Sequence, residues 1–328
     1  MKAIILSLVL FLFLVSCDKD NETNEPELSK VAYKQEMRNF VIGISKYAKA
    51  KHVGFSIIPQ NGIELVTENG EDDGKPETKY LSAIDGNGQE DLFYGYDNDD
   101  EATPASENAY LVNFLKISKK AGNTILVSDY CSTHSKMDDA NQKNQQQGFL
   151  SFAASHRELD IIPNYPNPIV NENANNVTKL TDAQNFLYLI NPDNFSSKTD
   201  FIQSVSNTNY DVVLMDLFFK DGTAFTAIEI AQLRVKKNGG SRLVICYMSI
   251  GEAENYRYYW KSEWNSNKPA WLDAENPDWP GNYKVKYWNK DWQSIIYGND
   301  NSYLKKILDA DFDGVYLDII DAFDYYDI

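Results

Sequence analysis

The stretch GVYLDIIDAF, residues Gly314 to Phe323, decides how this sequence folds. Its alternating apolar residues flank Asp318 and precede Asp321, which predicts a buried strand that presents carboxylates at its C-terminal end. Carboxylates at the C-terminal ends of parallel strands are typical of the active-site face of a (β/α)8 barrel. Only the five residues DYYDI follow Phe323. The helix that should cover this strand is therefore expected elsewhere in the chain.

Apolar runs along the rest of the chain predict eight strands that alternate with helices. The strand candidates are Gly54 to Ile58, Asp91 to Tyr96, Thr124 to Tyr130, Phe186 to Ile190, Tyr210 to Asp216, Arg242 to Ser249, Tyr283 to Trp288 and Gly314 to Ile320. The helical candidates are Glu36 to Lys51, Asn108 to Ala121, Phe225 to Gly239 and Ser302 to Ala310. Alternating strands and helices predict a parallel α/β sheet, which favours a (β/α)8 TIM-type barrel over the alternative, a doubly wound open sheet.

The helix Glu36 to Lys51 has no strand before it, and the last strand has no helix after it. These two features are complementary, so we expect a barrel that is circularly permuted between its fifth strand and fifth helix. Residues 171–184 would then join the ancestral ends, because domain termini tend to lie close together at the surface. The permutation predicts that Ile328 lies near the start of the first helix.

The first residues are typical of an exported lipoprotein. Lys2 precedes a short apolar run that ends in LVSC, which resembles a bacterial lipobox with Cys17 as the lipidated residue. We therefore assign residues 1–17 to a signal peptide, 18–31 to a polar tether and 32–328 to a single barrel domain. The expected location is the cell envelope of a bacterium, with the protein anchored in the outer membrane or at the cell surface through Cys17.

Charge and composition limit the partners. The chain has 328 residues and a formal net charge of -17, which argues against nucleic-acid binding because phosphate contacts need lysine and arginine. The three histidines show no ligand spacing, and the acidic run Asp97 to Glu101 lacks the spacing of an EF-hand loop. We therefore expect no metal and no cofactor, and we expect the protein to be a monomer.

Several long motifs resemble glycoside hydrolase family 114, the endo-α-1,4-polygalactosaminidase-like barrels. YDVVLMDLF, RLVICYMSIGEAENYRYYW, PAWLDAENPDWPGNYKVKYW and GVYLDIIDAF resemble the first half of the family in that order. MRNFVIGISKYAK, FSIIPQNGIEL, AIDGNGQEDLFYG and ILVSDYC resemble the second half, although they come first in this chain. The resemblance implies a barrel fold and hydrolysis of a polysaccharide.

The resemblance also implies a catalytic pair, Asp318 and Glu90. Glycoside hydrolysis needs two carboxyl groups, one that protonates the leaving oxygen and one that attacks or activates water. We expect Glu90 to be the proton donor and Asp318 the nucleophile. Glu252 is the main competitor, with a structural role at a helix start as its alternative. The residues expected to bind substrate are Asp216, Tyr247, Glu252, Asn61, Gln60, Asp129, Asp321 and Trp288.

Two functions remain open at this point. The first is a lipid-anchored, endo-acting glycosidase whose acidic rim would suit a cationic amino-sugar polymer. The second is a non-catalytic glycan-binding lipoprotein on the same barrel, because a fold does not fix a function. The presence of both Asp318 and Glu90 favours the enzyme.

Overall fold

The computed structural model describes residues 30–326. The predictions about the signal peptide, the lipidated Cys17 and Ile328 lie outside these residues. Within them, no helix has the length and apolar character that a membrane span requires.

Nine α-helices lie in the described range. They are α1 (Lys30–Lys51), α2 (Thr78–Ala83), α3 (Ala105–Lys120), α4 (His134–Gln147), α5 (Lys198–Ser206), α6 (Ala227–Leu233), α7 (Lys290–Ile296), α8 (Tyr303–Asp309) and α9 (Phe323–Tyr326). The first is the long amphipathic helix predicted from the sequence, and it buries Met37, Phe40, Val41 and Ile44 in the core. It therefore covers part of the sheet without a preceding strand of its own.

Eleven strands in the described range form three sheets. They are β1 (Ser56–Pro59), β2 (Gly86–Glu90), β3 (Thr124–Tyr130), β4 (Leu150–Ala154), β5 (Phe186–Tyr188), β6 (Val212–Met215), β7 (Leu243–Ser249), β8 (Glu252–Glu254), β9 (Leu272–Glu275), β10 (Asn282–Val285) and β11 (Gly314–Asp318). One parallel sheet has the order β1-β11-β7-β6-β5, and a second has the order β2-β3-β4. The third is a small antiparallel sheet with the order β8-β10-β9.

The two parallel sheets meet at β1 and β2. Gln60 and Gly88 form an isolated parallel bridge, and the backbone N–H of Asn61 donates to the carbonyl of Gly88 at 2.9 Å. At the other edges, β4 packs beside β5. Eight parallel strands arranged in this order are compatible with a TIM-type barrel.

Two strand predictions are wrong and one strand was missed. Residues Asp91 to Tyr96 form a loop, because the strand is the preceding GNGQE of β2. Residues Tyr283 to Trp288 overlap β10 of the antiparallel sheet and do not belong to the parallel one. The missing parallel strand is β4, which has the sequence LSFAA. Counted from β5, β11 is thus the fourth parallel strand and not the fifth.

The two ends of the described chain lie side by side. Helix α1 packs against α9 and α8, and the rings of Tyr33 and Tyr326 stack with their centroids 5.7 Å apart. The hydroxyl of Tyr287 donates to the carbonyl of Tyr33 at 2.9 Å. Helix α1 therefore lies next to the C-terminal segment, for which the sequence analysis found no covering helix.

The segment 171–184, predicted to join the ancestral ends, contains a short 3-10 turn at Leu180–Asp182. It binds to a buried ion pair between Lys236 and Asp211, whose Nζ and Oδ1 atoms are 2.8 Å apart, and Lys236 also donates to the carbonyl of Asn173 at 3.0 Å. Asn173 donates to Asp211 at 3.0 Å, and the backbone N–H of Gln184 does so at 2.8 Å. The segment is thus an ordered connection at the end of the sheet opposite the C-terminal strand ends.

Candidate active site

A cleft of about 770 Å³ opens where β1, β2, β6, β7 and β11 end. This volume falls within the range of about 300–1,000 Å³ that is usual for ligand sites. Of the residues predicted to form the site, eight line this cleft: Gln60, Asn61, Glu90, Asp216, Tyr247, Glu252, Asp318 and Asp321.

Asp318 is the last residue of β11. Its Oδ2 accepts a hydrogen bond of 2.5 Å from the hydroxyl of Tyr247 on the adjacent strand β7. The next residue, Ile319, has a φ of 57°, which a β-branched side chain rarely adopts. Such strain tends to occur at functional sites, and here it turns the chain away immediately after the carboxylate.

Glu90 ends β2 in the same way, and the following Asp91 also has a φ of 57°. One Glu90 carboxylate oxygen accepts from the hydroxyl of Tyr130 on β3, and the other accepts from the amide of Asn61 at 3.1 Å. The Asn61 side-chain oxygen in turn accepts from the backbone N–H of Glu90 at 3.1 Å. Asn61 therefore fixes both the backbone and the carboxylate of Glu90.

The surroundings of Asp318, including Glu90, favour its protonated form. Burial raises the pKa of Asp318 to about 7, and the negative charge of Glu90 adds to this effect. Burial also raises the pKa of Asp321 to about 7, with a further contribution from Asp324. Asp318 thus retains a proton close to neutral pH, as one member of an acid-base pair in hydrolysis requires.

A single arginine forms ion pairs with two other carboxylates in the cleft. Arg257 contacts Asp216 at 2.7 Å and Glu254 at 2.6 Å, and its side chain is almost completely buried. Asp216 also accepts from the backbone N–H of Phe218 at 2.7 Å. These contacts hold the two carboxylates in fixed positions, so Asp216 is better suited to orienting a ligand than to transferring a proton.

Glu252 lies in β8, so the alternative role at a helix start is wrong. One of its carboxylate oxygens accepts from Asn276 at 2.9 Å, while the other has no partner within the described residues. Burial raises the pKa of this side chain. Glu252 remains a candidate for binding substrate at the wall of the cleft.

Asp129 and Trp288 do not line the cleft, contrary to the prediction. Asp129 is fully buried and accepts from the backbone N–H groups of Phe93 and Tyr94 at 2.6 and 3.0 Å. It therefore holds the loop that follows Glu90 in place. Trp288 packs edge-on against Tyr326, with ring centroids 4.7 Å apart, near the two chain ends.

Sequence reasoning missed Arg157, which follows the unpredicted strand β4. Its guanidinium lies 3.8 Å from the ring centroid of Tyr130 and forms ion pairs with Asp91 at 3.0 Å and Asp99 at 2.7 Å. It thus braces both the ring that donates to Glu90 and the residue next to Glu90. An isolated arginine in a loop gave no signal in the sequence, because its partners are more than 50 residues away.

The cleft carries an excess of acidic side chains. Eight acidic residues and three basic residues line it. Two of the basic ones, Arg157 and Arg257, are already paired with carboxylates. The excess of acidic side chains gives the cleft a negative electrostatic potential, which favours a neutral or cationic ligand.

Comparisons with known proteins place this site in a family context. The model of glycoside-hydrolase family GH114 matches residues 166–327. An uncharacterised protein of Methanocaldococcus jannaschii is 40% identical over 155 residues, which are 47% of this chain and 42% of that protein. Uncharacterised proteins of Thermotoga maritima and Deinococcus radiodurans are 38% identical over 122 residues and 40% identical over 126 residues, covering 36% and 38% of their lengths.

In all three relatives the match covers less than half of the relative's own length. The segment that matches the family model contains Asp318, Tyr247, Asp216 and Glu252. Glu90, with its partners Asn61 and Tyr130, comes from the part of the chain before that segment. The candidate site is therefore assembled from both halves of the chain.

Proposed function

We propose that the protein hydrolyses glycosidic bonds with Asp318 and Glu90 as its carboxyl pair, and the match of residues 166–327 to the model of glycoside-hydrolase family GH114 supports this proposal. The observation that carries the proposal is the geometry of the pair. Each carboxylate ends a parallel strand, lines the same cleft and accepts a hydrogen bond from a tyrosine of the adjacent strand.

The proposed reaction uses one proton held by the pair. The protonated member gives its proton to the glycosidic oxygen as the bond from that oxygen to the anomeric carbon breaks. The ionised member either attacks the anomeric carbon or removes a proton from the attacking water. If the ionised member attacks, water then displaces its carboxylate from the anomeric carbon and gives a proton to the first member. If it activates water directly, it keeps the proton of that water until exchange with solvent. In both routes the hydroxyl of water ends on the anomeric carbon and the pair again holds one proton. Sequence reasoning gives the donor role to Glu90, whereas the raised pKa of Asp318 favours Asp318.

The proposed substrate is a polysaccharide that contains free amino sugars, cleaved within the chain. The excess of acidic side chains in the cleft supports this choice, because ammonium groups on a polymer would be attracted to it. Glu252 is suited to such a contact, since one of its buried oxygens lacks a partner in the described part of the chain.

We also propose that the protein acts at the cell envelope, as a monomer anchored through a lipid on Cys17. The lipobox-like LVSC and the acidic, polar stretch after it support the anchor. Labelling with a radioactive or alkyne fatty acid should mark the wild-type protein and fail to mark the Cys17→Ala variant. Equal labelling of both proteins would contradict the anchor.

The architecture that we propose is a closed eight-stranded barrel, permuted relative to its family. The bridge between Gln60 and Gly88 and the packing of β4 beside β5 support closure. The stacking of Tyr33 on Tyr326 supports a permutation, because it places α1 where the helix after β11 would lie. The family match to one contiguous half of the chain is also what a permuted order would produce.

The test of function compares Asp318→Asn and Glu90→Gln with wild type on two substrates. On polygalactosamine, each variant should lose at least about 100-fold in kcat, the lower end of the usual contribution from a general acid or base. On an aryl glycoside of the same sugar, whose leaving group needs no proton, only the proton-donor variant should recover. Near-normal activity of both variants on the polymer would refute the pair. Binding without hydrolysis by wild type would favour the non-catalytic alternative.

A further inference from the structure

Three exposed aromatic side chains lie at the edge of the cleft: Tyr256, Tyr258 and Trp279, called here the aromatic rim. They are 63%, 41% and 60% exposed, respectively. Of the large apolar side chains that are exposed in the described range, the others are Val53, Tyr96, Ile228 and Val235, and these do not line the cleft. Exposed aromatic surface of this kind is thus concentrated where a ligand would lie.

The two tyrosines of the rim are held by side-chain contacts that leave ring surface exposed. The hydroxyl of Tyr256 donates to Glu254 at 2.7 Å, and the Arg257 guanidinium lies 5.3 Å from the Tyr256 ring centroid. Tyr258 packs against Phe218, with ring centroids 5.8 Å apart. Because these rings are already held in place, they lose little conformational entropy when a ligand binds.

Trp279 projects from the turn between β9 and β10. Its backbone N–H donates to Asn276 at 3.3 Å, and its carbonyl accepts from Asn282 at 3.0 Å. Asn276 also donates to Glu252, so the same turn carries both the exposed indole and the partner of a cleft carboxylate. The small antiparallel sheet thereby forms a wall that is continuous with the floor of the cleft.

We propose that the aromatic rim binds sugar units of the polysaccharide that extend beyond the bond being cleaved. This inference rests on the proposed function and adds where the rest of the polysaccharide lies. Sugar rings have apolar faces of C–H groups, and they pack on exposed aromatic rings while their hydroxyl groups remain in water. The rim lies on the same cleft as Asp318 and Glu90, so a single polymer chain contacts both.

A binding site beyond the cleaved bond has a measurable consequence. Affinity rises with the number of sugar units until the rim is occupied, and then it levels off. A substrate too short to reach the rim is bound only by the residues around the carboxyl pair. The rim therefore makes the protein prefer long chains, which is the behaviour of an endo-acting enzyme.

The test measures dissociation constants by calorimetry for galactosamine oligosaccharides of increasing length. The full chain carries Asp318→Asn to prevent turnover, alone or together with Trp279→Ala, Tyr258→Ala or Tyr96→Ala. Tyr96 is the matched control because it is 49% exposed but lies outside the cleft. Thermal unfolding checks that all variants fold.

We expect Trp279→Ala to weaken binding of the longer oligosaccharides by roughly tenfold, or about 1.4 kcal/mol, and to leave the shortest ligand that binds unchanged. Tyr258→Ala should act in the same direction, and Tyr96→Ala should have no effect. If affinity rises with length equally in all variants, or does not rise at all, the rim proposal fails while the proposed function stands. If the Asp318→Asn protein binds none of the ligands and wild type hydrolyses none, both proposals fail.

Discussion

At the scale of single residues, three tyrosines of the parallel strands can distinguish hydrogen bonding to the carboxyl pair from simple packing. Tyr247 donates to Asp318 and Tyr130 donates to Glu90, whereas the hydroxyl of Tyr316 has no partner in the described part of the chain. The same Tyr→Phe change at each position removes one oxygen and leaves the ring in place.

We predict that Tyr247→Phe and Tyr130→Phe each lower kcat by about 10- to 100-fold, since a hydrogen bond to a charged group contributes about 1.5–3 kcal/mol. Loss of the Tyr247 hydrogen bond should also raise the pKa of Asp318, which that bond lowers, and so move upward the limb of the pH profile that reports this group. Tyr316→Phe should keep wild-type kcat and equal or greater stability. Equal losses in all three variants would show that the hydroxyl groups act only through packing.

The raised pKa of Asp318 predicts how stability depends on pH. The folded pKa is about 7 against an ordinary value of 3.8, so between these values the folded state holds a proton that the unfolded state releases. The stability contributed by this group is therefore present at low pH and is lost as pH rises towards 7. Asp318→Asn removes the charge and should stabilise the protein more at pH 8 than at pH 5.

We expect the difference between these two gains to be roughly 1–2 kcal/mol, after allowance for solvent screening. Urea unfolding at both pH values measures it. Asp73→Asn removes the same charge from an exposed loop and serves as the control. A gain for Asp318→Asn that is the same at pH 5 and pH 8 would contradict the raised pKa.

Several of the residues that sequence reasoning placed correctly in the cleft end a parallel strand or directly follow one. Asp318 and Asp216 are of this kind, since the C-terminal ends of parallel strands converge on one face. Asp129 has the same appearance, but it points into the layer behind the cleft and bonds to loop N–H groups. Which side a strand residue faces depends on register, and one sequence does not specify it.

At the scale of secondary structure elements, strands with a long apolar run could be predicted, whereas GNGQE of β2 and the short LSFAA of β4 could not. Thr124–Tyr130 matches its prediction because it is a continuous β-branched and apolar run. GNGQE of β2 contains two glycines and no apolar side chain. Gly88 is required because a Cβ there would lie 1.9 Å from the Tyr316 hydroxyl. Tertiary packing thus makes this segment a strand although its residues have a low intrinsic β-strand propensity.

The connecting segment 171–184 provides a prediction about an element without regular structure. Lys236 and Asp211 are completely buried, and Asp211 binds both Asn173 and Gln184. Lys236→Met should destabilise the protein by about 3–5 kcal/mol, because it leaves the Asp211 charge buried and without its cation. Lys237→Met, at an exposed neighbouring position, should change stability by less than about 0.5 kcal/mol. Urea unfolding measures both, and similar small effects would mean that the ion pair does not hold the segment.

At the scale of the whole molecule, the order of strands along the chain differs from their order in space. In space, β11 lies between β7 and β1, although it comes last in the sequence. The site needs both parts of the chain, because Asp318 and Glu90 lie on β11 and β2 with β1 between them. Periodicity predicted the number of parallel strands. It did not identify which segments form the fourth and eighth strands, because that depends on strand pairing, which a sequence pattern does not show.

This spatial order leads to a prediction about reversing the permutation. Joining the C-terminal end to Lys30 by a short flexible linker, and opening the chain between Asn175 and Asn176, would give β5 as the first strand and β4 as the last. The new ends lie in an exposed part of the connecting segment, and the joined ends are close because Tyr33 stacks on Tyr326. Since each native strand pair and both halves of the cleft are kept, the rearranged protein should fold and retain most of its activity on polygalactosamine.

Circular dichroism, thermal unfolding and the hydrolysis assay check this outcome against wild type. A second variant with the same linker, opened inside β2 between Gly88 and Gln89, is the control that should fail, because it cuts a paired strand two residues before Glu90. If the variant opened at Asn175 unfolds like this control, the chain ends are not interchangeable and the proposed permuted barrel is wrong. If it folds but is inactive while wild type hydrolyses the polymer, the two halves of the cleft depend on the native connection, which would contradict a site built only from strand ends.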